Sequence, residues 1–299
     1  MECLYPPAFL ALVAPLTLLP MGIALVLWDA IQLAALGFVL AWTLRNRSRP
    51  HELALTLVFL TLWFPAFVGL RFGQVAGILA VGWLMFGHEL RSGHELRAGL
   101  WLSLLTIKPP LLLVPFCLLI YLRRERALIG LLTGGAVWLL VSIAMVGPSG
   151  FLGYLRTLLV AAGAQTSDAV YRTSTYSWAS ITNVLPSQGW LIFLVIDALT
   201  IALTLRLARG RSVEDSMATA TPAMLLASPH VLVHDLLPLV ATLPALPRRG
   251  RALIAFSPVA AFAIVPITHM MLAAPQIISL LMFGMTFVFG GFASRRMVV

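Results

Sequence analysis

Few residues in this chain could do chemistry, and they sit among long apolar runs. Lys108 stands directly before Pro109-Pro110. His230 and His234 are four apart, so on a helix they share a face, with Asp235 adjacent. Imidazole titrates near neutral pH and a neighbouring carboxylate can fix its tautomer, so His234 and Asp235 suit a general-base or orienting pair. A metal site would need more ligands than this motif supplies, and no metal or cofactor is expected. Polar residues capping helix ends are the competing explanation. Arg71 precedes Gly73-Gln74, and Arg172 follows Tyr171 in a polar stretch that runs on to Thr175-Tyr176-Ser177-Trp178. Arg71, Lys108 and Arg172 gathered at one cavity would suit the phosphate of an anionic lipid, because guanidinium and ammonium groups are strong phosphate donors. Snorkelling of Arg71 and Lys108 to lipid headgroups is the plainer alternative. Tyr176 and Trp178, beside hydroxyls and amides, suit a sugar that stacks on rings, or else an aromatic belt at a membrane surface.

The elements that must position these groups follow from composition. Of 299 residues, 60% are hydrophobic and 10% charged, with a mean hydropathy of +0.97. A soluble domain is about a quarter charged, so this chain cannot cover a water-facing surface. It reads as an all-α, polytopic transmembrane helical bundle forming one domain over residues 1–299. The net charge of +9 lies in small clusters between apolar runs, which excludes nucleic acid as a partner. Cys3 and Cys117 form no redox or disulfide motif, and no phosphate loop, nucleophile elbow or dinucleotide fingerprint occurs.

Spans are expected at 21–44, 52–70, 127–146, 189–207, 252–270 and 273–293, with a shorter one at 71–90. Residues 214–247 allow two passes that turn near Ser228-Pro229. Tandem prolines end a helix at Lys108, and neither 97–107 nor 110–122 can cross a bilayer alone. The two pieces form either one kinked span or a hairpin. A hairpin puts sixteen of the twenty basic residues on one side and leaves Arg71, Lys108, Arg156 and Arg172 opposite. The positive-inside rule therefore selects the hairpin, about eleven membrane helices and a cytoplasmic C-terminus. Residues 1–20 become an exofacial interfacial segment, and 147–188 a long exofacial loop. Asp29 and Asp197 fall inside spans, Asp197 where a partner within the bundle is expected. Gly73-x-x-x-Gly77 and Gly130-x-x-x-Gly134 read as close helix packing. An odd helix count places the N-terminus outside without a leader, which points to a missing first helix.

The order of Tyr5-Pro6-Pro7, Pro15, Pro20, Trp28, Gly73-Gln74, Ala98-Gly99, Ile107-Lys108-Pro109-Pro110, Arg123-Arg124 and Ser228-Pro229 with His234 resembles glycosyltransferase family 87. The resemblance implies a C-type fold in the cell membrane and an exofacial active face. It implies transfer of a mannose-like sugar from a polyprenyl-phosphate donor to a lipid or glycan acceptor, as a hexosyltransferase. Lys108 and Arg71 would then lie at the donor phosphate, with Gln74, Arg172, Tyr176 and Trp178 lining the substrate site and His234 and Asp235 catalytic. Two departures stand out. The family's catalytic aspartate lies in a first exofacial loop that is absent here, where only Glu2 remains, and Ala76 replaces an asparagine. Both the parity of the helices and that missing loop point to N-terminal truncation and leave open whether the chain is active as it stands. The alternatives are a lipid or solute transporter or flippase, and a non-catalytic partner of a membrane glycosyltransferase.

Overall fold

Where a run of leucine, valine, isoleucine and alanine has no water to bond its backbone, the helix satisfies every amide internally. The computed structural model describes residues 4–44, 64–167, 175–182 and 189–245, with Leu280, Phe283 and Gly284. Its helices are α1 (Pro7–Val13), α2 (Met21–Leu44), α3 (Phe64–Arg71), α4 (Ala76–Arg91), α5 (Glu95–Leu102), α6 (Leu113–Tyr121), α7 (Glu125–Ser167), α8 (Ala179–Thr182), α9 (Gly189–Ala208) and α10 (Val213–Leu226). Tighter 3₁₀ turns cover Ala14–Leu18, Ser103–Ile107, Pro109–Leu112 and Val233–Ala245. The fold is an all-α bundle, with no strand among the described residues. Among the described residues, three helices are long and apolar enough to cross a membrane: Met21–Trp42, Glu125–Val160 and Gly189–Ala208. The expected spans 252–270 and 273–293 and most of 52–70 lie outside the described residues, apart from the isolated positions named above.

The Lys108 break is a hairpin. Glu95 at the start of α5 accepts from Arg124, just beyond α6, with Nη1 and Oε1 2.7 Å apart. A single kinked span would have put these residues on opposite faces of the membrane. α7 then rises beside α5 in the same direction, and the interface is made by glycine. A side-chain carbon at Gly99 would overlap the Ala127 carbonyl oxygen, one at Gly130 the Leu96 carbonyl oxygen, and one at Gly134 the Ser103 hydroxyl. Because lipid tails are as apolar as leucine, such close backbone approach drives association where the hydrophobic effect does not. The Gly130/Gly134 pattern is therefore a packing motif. Its Gly73/Gly77 counterpart is only half one: Gly77 abuts Gln32 of α2, whereas Gly73 supplies a φ of 61° in a turn.

Ser142 lies seventeen residues into α7, about 26 Å along its axis from Glu125. Its hydroxyl accepts from the Ala8 N–H at 3.1 Å, so the segment containing α1 packs at the end of the bundle away from Arg124, the same end as Lys108. The stretch 147–188, expected as one loop, is helical over its first half. α7 passes through a break at Gly147 (φ 71°, ψ 168°) and continues to Ser167. Only glycine adopts that backbone readily, and Pro148 has no N–H to lose, so the helix bends and resumes.

At the centre stands α10, buried at every position from Ser216 to Leu226. Ser212 caps it by accepting from the Asp215 N–H at 3.1 Å. Trp83 of α4, fully buried, donates its indole N–H to the Thr221 hydroxyl at 2.8 Å. Trp83, Leu102, Leu111, Met224 and Leu226 share one core that seats both the hairpin and the link after α10.

Candidate functional site

Lys108 owes its position to Pro109. The proline ring disfavours helical geometry in the preceding residue, which here takes φ −132° and ψ 79° between two 3₁₀ turns. Its backbone is nonetheless satisfied: the N–H bonds the Leu105 carbonyl at 2.9 Å, and its carbonyl accepts from the Leu111 N–H at 3.1 Å. The side chain leaves the hairpin and pairs with Asp235, 127 residues later in the chain.

Asp235 sits where the link after α10 turns into the 3₁₀ segment Val233–Ala245. Its Oδ2 accepts from Lys108 Nζ and, at 2.8 Å, from the Leu232 N–H. Its Oδ1 lies 3.6 Å from His234 Nε2. The carboxylate side chain is 2% exposed and Lys108 17%, so the ion pair closes over the acid and leaves the amine nearer the surface. A carbon added at Gly69 of α3 would touch His234 Cβ at 3.6 Å, which places α3 directly beside the histidine. His230 lies in the same link.

The link itself is irregular backbone at the heart of the bundle, tolerated because its polar groups find partners. Thr175 accepts from the Val231 N–H at 3.0 Å, and Tyr176 donates its N–H to the Val231 carbonyl at 2.6 Å. Trp178 donates its backbone N–H to the Leu226 carbonyl at 3.2 Å. Residues 175–178 thus act as a strap that shapes the turn carrying His234 and Asp235.

That role corrects the expectation for Trp178. The residue is 5% exposed, its indole donates to the Thr200 hydroxyl at 2.9 Å, and its ring meets Phe283 edge-on at 5.1 Å. The indole is a core element rather than a platform for sugar or a surface anchor. Tyr176 is half-buried against the same core. Gln74 accepts from the Tyr5 hydroxyl at 2.8 Å, a partnership that no local sequence rule signals. Arg71 is exposed at the last turn of α3, and no contact joins it to Lys108 among the described residues. Arg172 lies outside the described residues. Asp197 is 5% exposed in α9, and its Oδ1 has no hydrogen-bond donor among the described residues. No group of three or more potential metal ligands occurs among the described residues.

The family model of glycosyltransferase family 87 matches residues 4–229. The chain belongs to glycosyltransferase family 87. It is accordingly a membrane protein of a glycosyltransferase family, which joins a sugar donor to an acceptor. No curated protein and no solved structure matches it. The family match contains Tyr5, Gly73-Gln74, Lys108 and Ser228-Pro229 and closes at Pro229. His230, His234 and Asp235 follow immediately, so their place in the site rests on the geometry given above.

Proposed function

We propose that this family 87 chain transfers a mannose-like sugar from a polyprenyl-phosphate donor to a lipid or glycan acceptor, at the Lys108 end of the bundle and on the exofacial side of the cell membrane. The observation that carries the reading is the ammonium of Lys108, freed from helical geometry and held by Asp235 beside His234. In the transfer, the bond from the sugar's anomeric carbon to the phosphate oxygen breaks and the phosphate leaves with the electron pair. A new bond forms from that carbon to an acceptor hydroxyl oxygen, whose proton goes to a base. Lys108 offsets the charge growing on the leaving phosphate. His234 takes the acceptor's proton. Both oxygens of Asp235 are engaged, by Lys108, the Leu232 N–H and the edge of His234, so Asp235 acts by positioning those two residues. Arg71 and Gln74 extend the site toward the donor. Arginine clusters at the opposite end of the hairpin support the assignment of sides.

The test supplies radiolabelled polyprenyl-phosphate mannose to the full chain in nanodiscs. Lys108→Ala and His234→Ala should abolish transfer per molecule of folded protein. Unchanged turnover in both would remove these residues from the site. Cysteine placed at position 108 should react with an impermeant maleimide from outside the cell, and labelling solely from the cytosol would overturn the sidedness.

A further inference from the structure

The turn Phe72-Gly73-Gln74 is held at two points by residues far away in sequence. Trp28 of α2 donates its indole N–H to the Gly73 carbonyl at 2.8 Å. Gly73 is at φ 61°, and a side-chain carbon there would meet the Trp28 ring at 3.5 Å, so the indole lies flush under the turn. From the segment before α1, the Tyr5 hydroxyl reaches Gln74 Oε1 at 2.8 Å. Tyr5 packs on Phe9 at 5.2 Å between ring centres, and Phe9 on Trp28 at 6.2 Å, which couples the two supports.

These contacts settle which way the Gln74 amide faces. Gln74 Nε2 lies 3.3 Å from the Phe72 carbonyl oxygen. A carbonyl oxygen only accepts, so the nitrogen must face it and the Gln74 oxygen must face Tyr5, whose hydroxyl donates. One amide N–H is then committed to Phe72, and the second has no partner among the described residues. Gln74 is thereby presented as a donor. Arg71 lies three residues earlier on the same turn, and α4, which follows, has no acidic residue in its first turn. The chemistry that fits such a turn is an anionic oxygen.

We propose that Tyr5 and Trp28 are positioning residues that fix the Gly73-Gln74 turn, so that Gln74 gives an amide N–H to a phosphate oxygen of the lipid-phosphate donor. This rests on the reading of a polyprenyl-phosphate donor and deepens it. Tyr5→Phe keeps the ring packing and removes only the hydroxyl.

Binding of undecaprenyl phosphate, without sugar, to the full chain in nanodiscs separates the possibilities. Gln74→Ala should weaken it by about ten- to a hundredfold, the range for one hydrogen bond to a charged group, and Tyr5→Phe by less. Tyr5→Phe should add nothing in the Gln74→Ala background, because Tyr5 acts through Gln74. Trp28→Phe should show the same dependence on Gln74. Additive losses overturn the inference, as does a loss of melting temperature in Tyr5→Phe that persists without Gln74. Weakening confined to the sugar-bearing donor overturns the phosphate assignment. A wild-type chain that binds undecaprenyl phosphate with this coupling yet transfers no sugar sinks the transferase reading alone; one that binds nothing overturns both.

Discussion

Replacing Lys108 by alanine should cost this fold more than replacing Asp235, because the two charges are not equally sealed. Asp235 is 2% exposed and Lys108 17%. Without Asp235, the long lysine stem can carry its ammonium toward water, and the loss is the charge-assisted bonds to Lys108 and to the Leu232 N–H, together about 2–3 kcal/mol. Without Lys108, the carboxylate keeps the Leu232 N–H and the edge of His234, 3.6 Å away, and cannot move out. It can escape by taking up a proton, which from an ordinary value near 3.9 costs about 4 kcal/mol at pH 7. That figure agrees with the ~3–5 kcal/mol typical of breaking a buried pair from one side. Lys108→Ala/Asp235→Ala should then lose about 2–3 kcal/mol rather than the sum. The sign with pH follows. An unpaired buried acid is protonated more readily folded than unfolded, so the Lys108→Ala deficit should shrink on acidification from pH 7 to 5, by about 1.4 kcal/mol per unit. Equilibrium unfolding of the full chain in micelles at both pH values measures all of this. Equal or reversed single losses, an additive double variant, or a deficit that grows toward pH 5 would refute the reasoning.

Gly99→Leu and Gly130→Val should prevent the bundle from assembling, since each side chain meets backbone across α5 and α7, whereas Gly135→Ala, with nothing within 4 Å, should melt like wild type; size-exclusion and thermal melting in detergent separate them. Glu95→Cys/Arg124→Cys should cross-link readily if the hairpin is real, while Glu95→Ala should cost only about 0.5 kcal/mol because the pair is partly exposed. Gln32, 4% exposed with both amide atoms unpartnered among the described residues, should be replaceable by leucine with a gain of about 1–3 kcal/mol, read from unfolding midpoints.

The hairpin and the glycine interface were legible in the sequence because each follows from a local rule. Pro109 restricts Lys108 whatever the rest of the chain does, and glycines four apart make a flat helix face. Arginine placement then chose the hairpin over the kinked span, and the Glu95–Arg124 contact agrees. Trp178 went astray because an indole near polar residues at a span end looks the same whether it faces headgroups or folds inward; the hydroxyl of Thr200, on a different helix, gave its N–H a buried partner. The helical stretch after Gly147 was hidden by the Gly-Pro pair, which signals a break but not whether a helix resumes.

Pairings were the least legible, and the reason is physical. In water a lone lysine or aspartate is satisfied by solvent, so its partner hardly matters. Within a bundle that is 10% charged, each ionisable group must find one of a few others or bear the cost of burial alone. Asp235 has His234 next to it in sequence, yet the group that donates to its carboxylate is Lys108, from 127 residues away. Asp197 shows the other outcome, an acid sealed in α9 whose Oδ1 has no donor among the described residues. Composition therefore named the groups that had to be paired, and the Pro-broken hairpin, by swinging Lys108 out of its helix, decided which acid became the partner of the site.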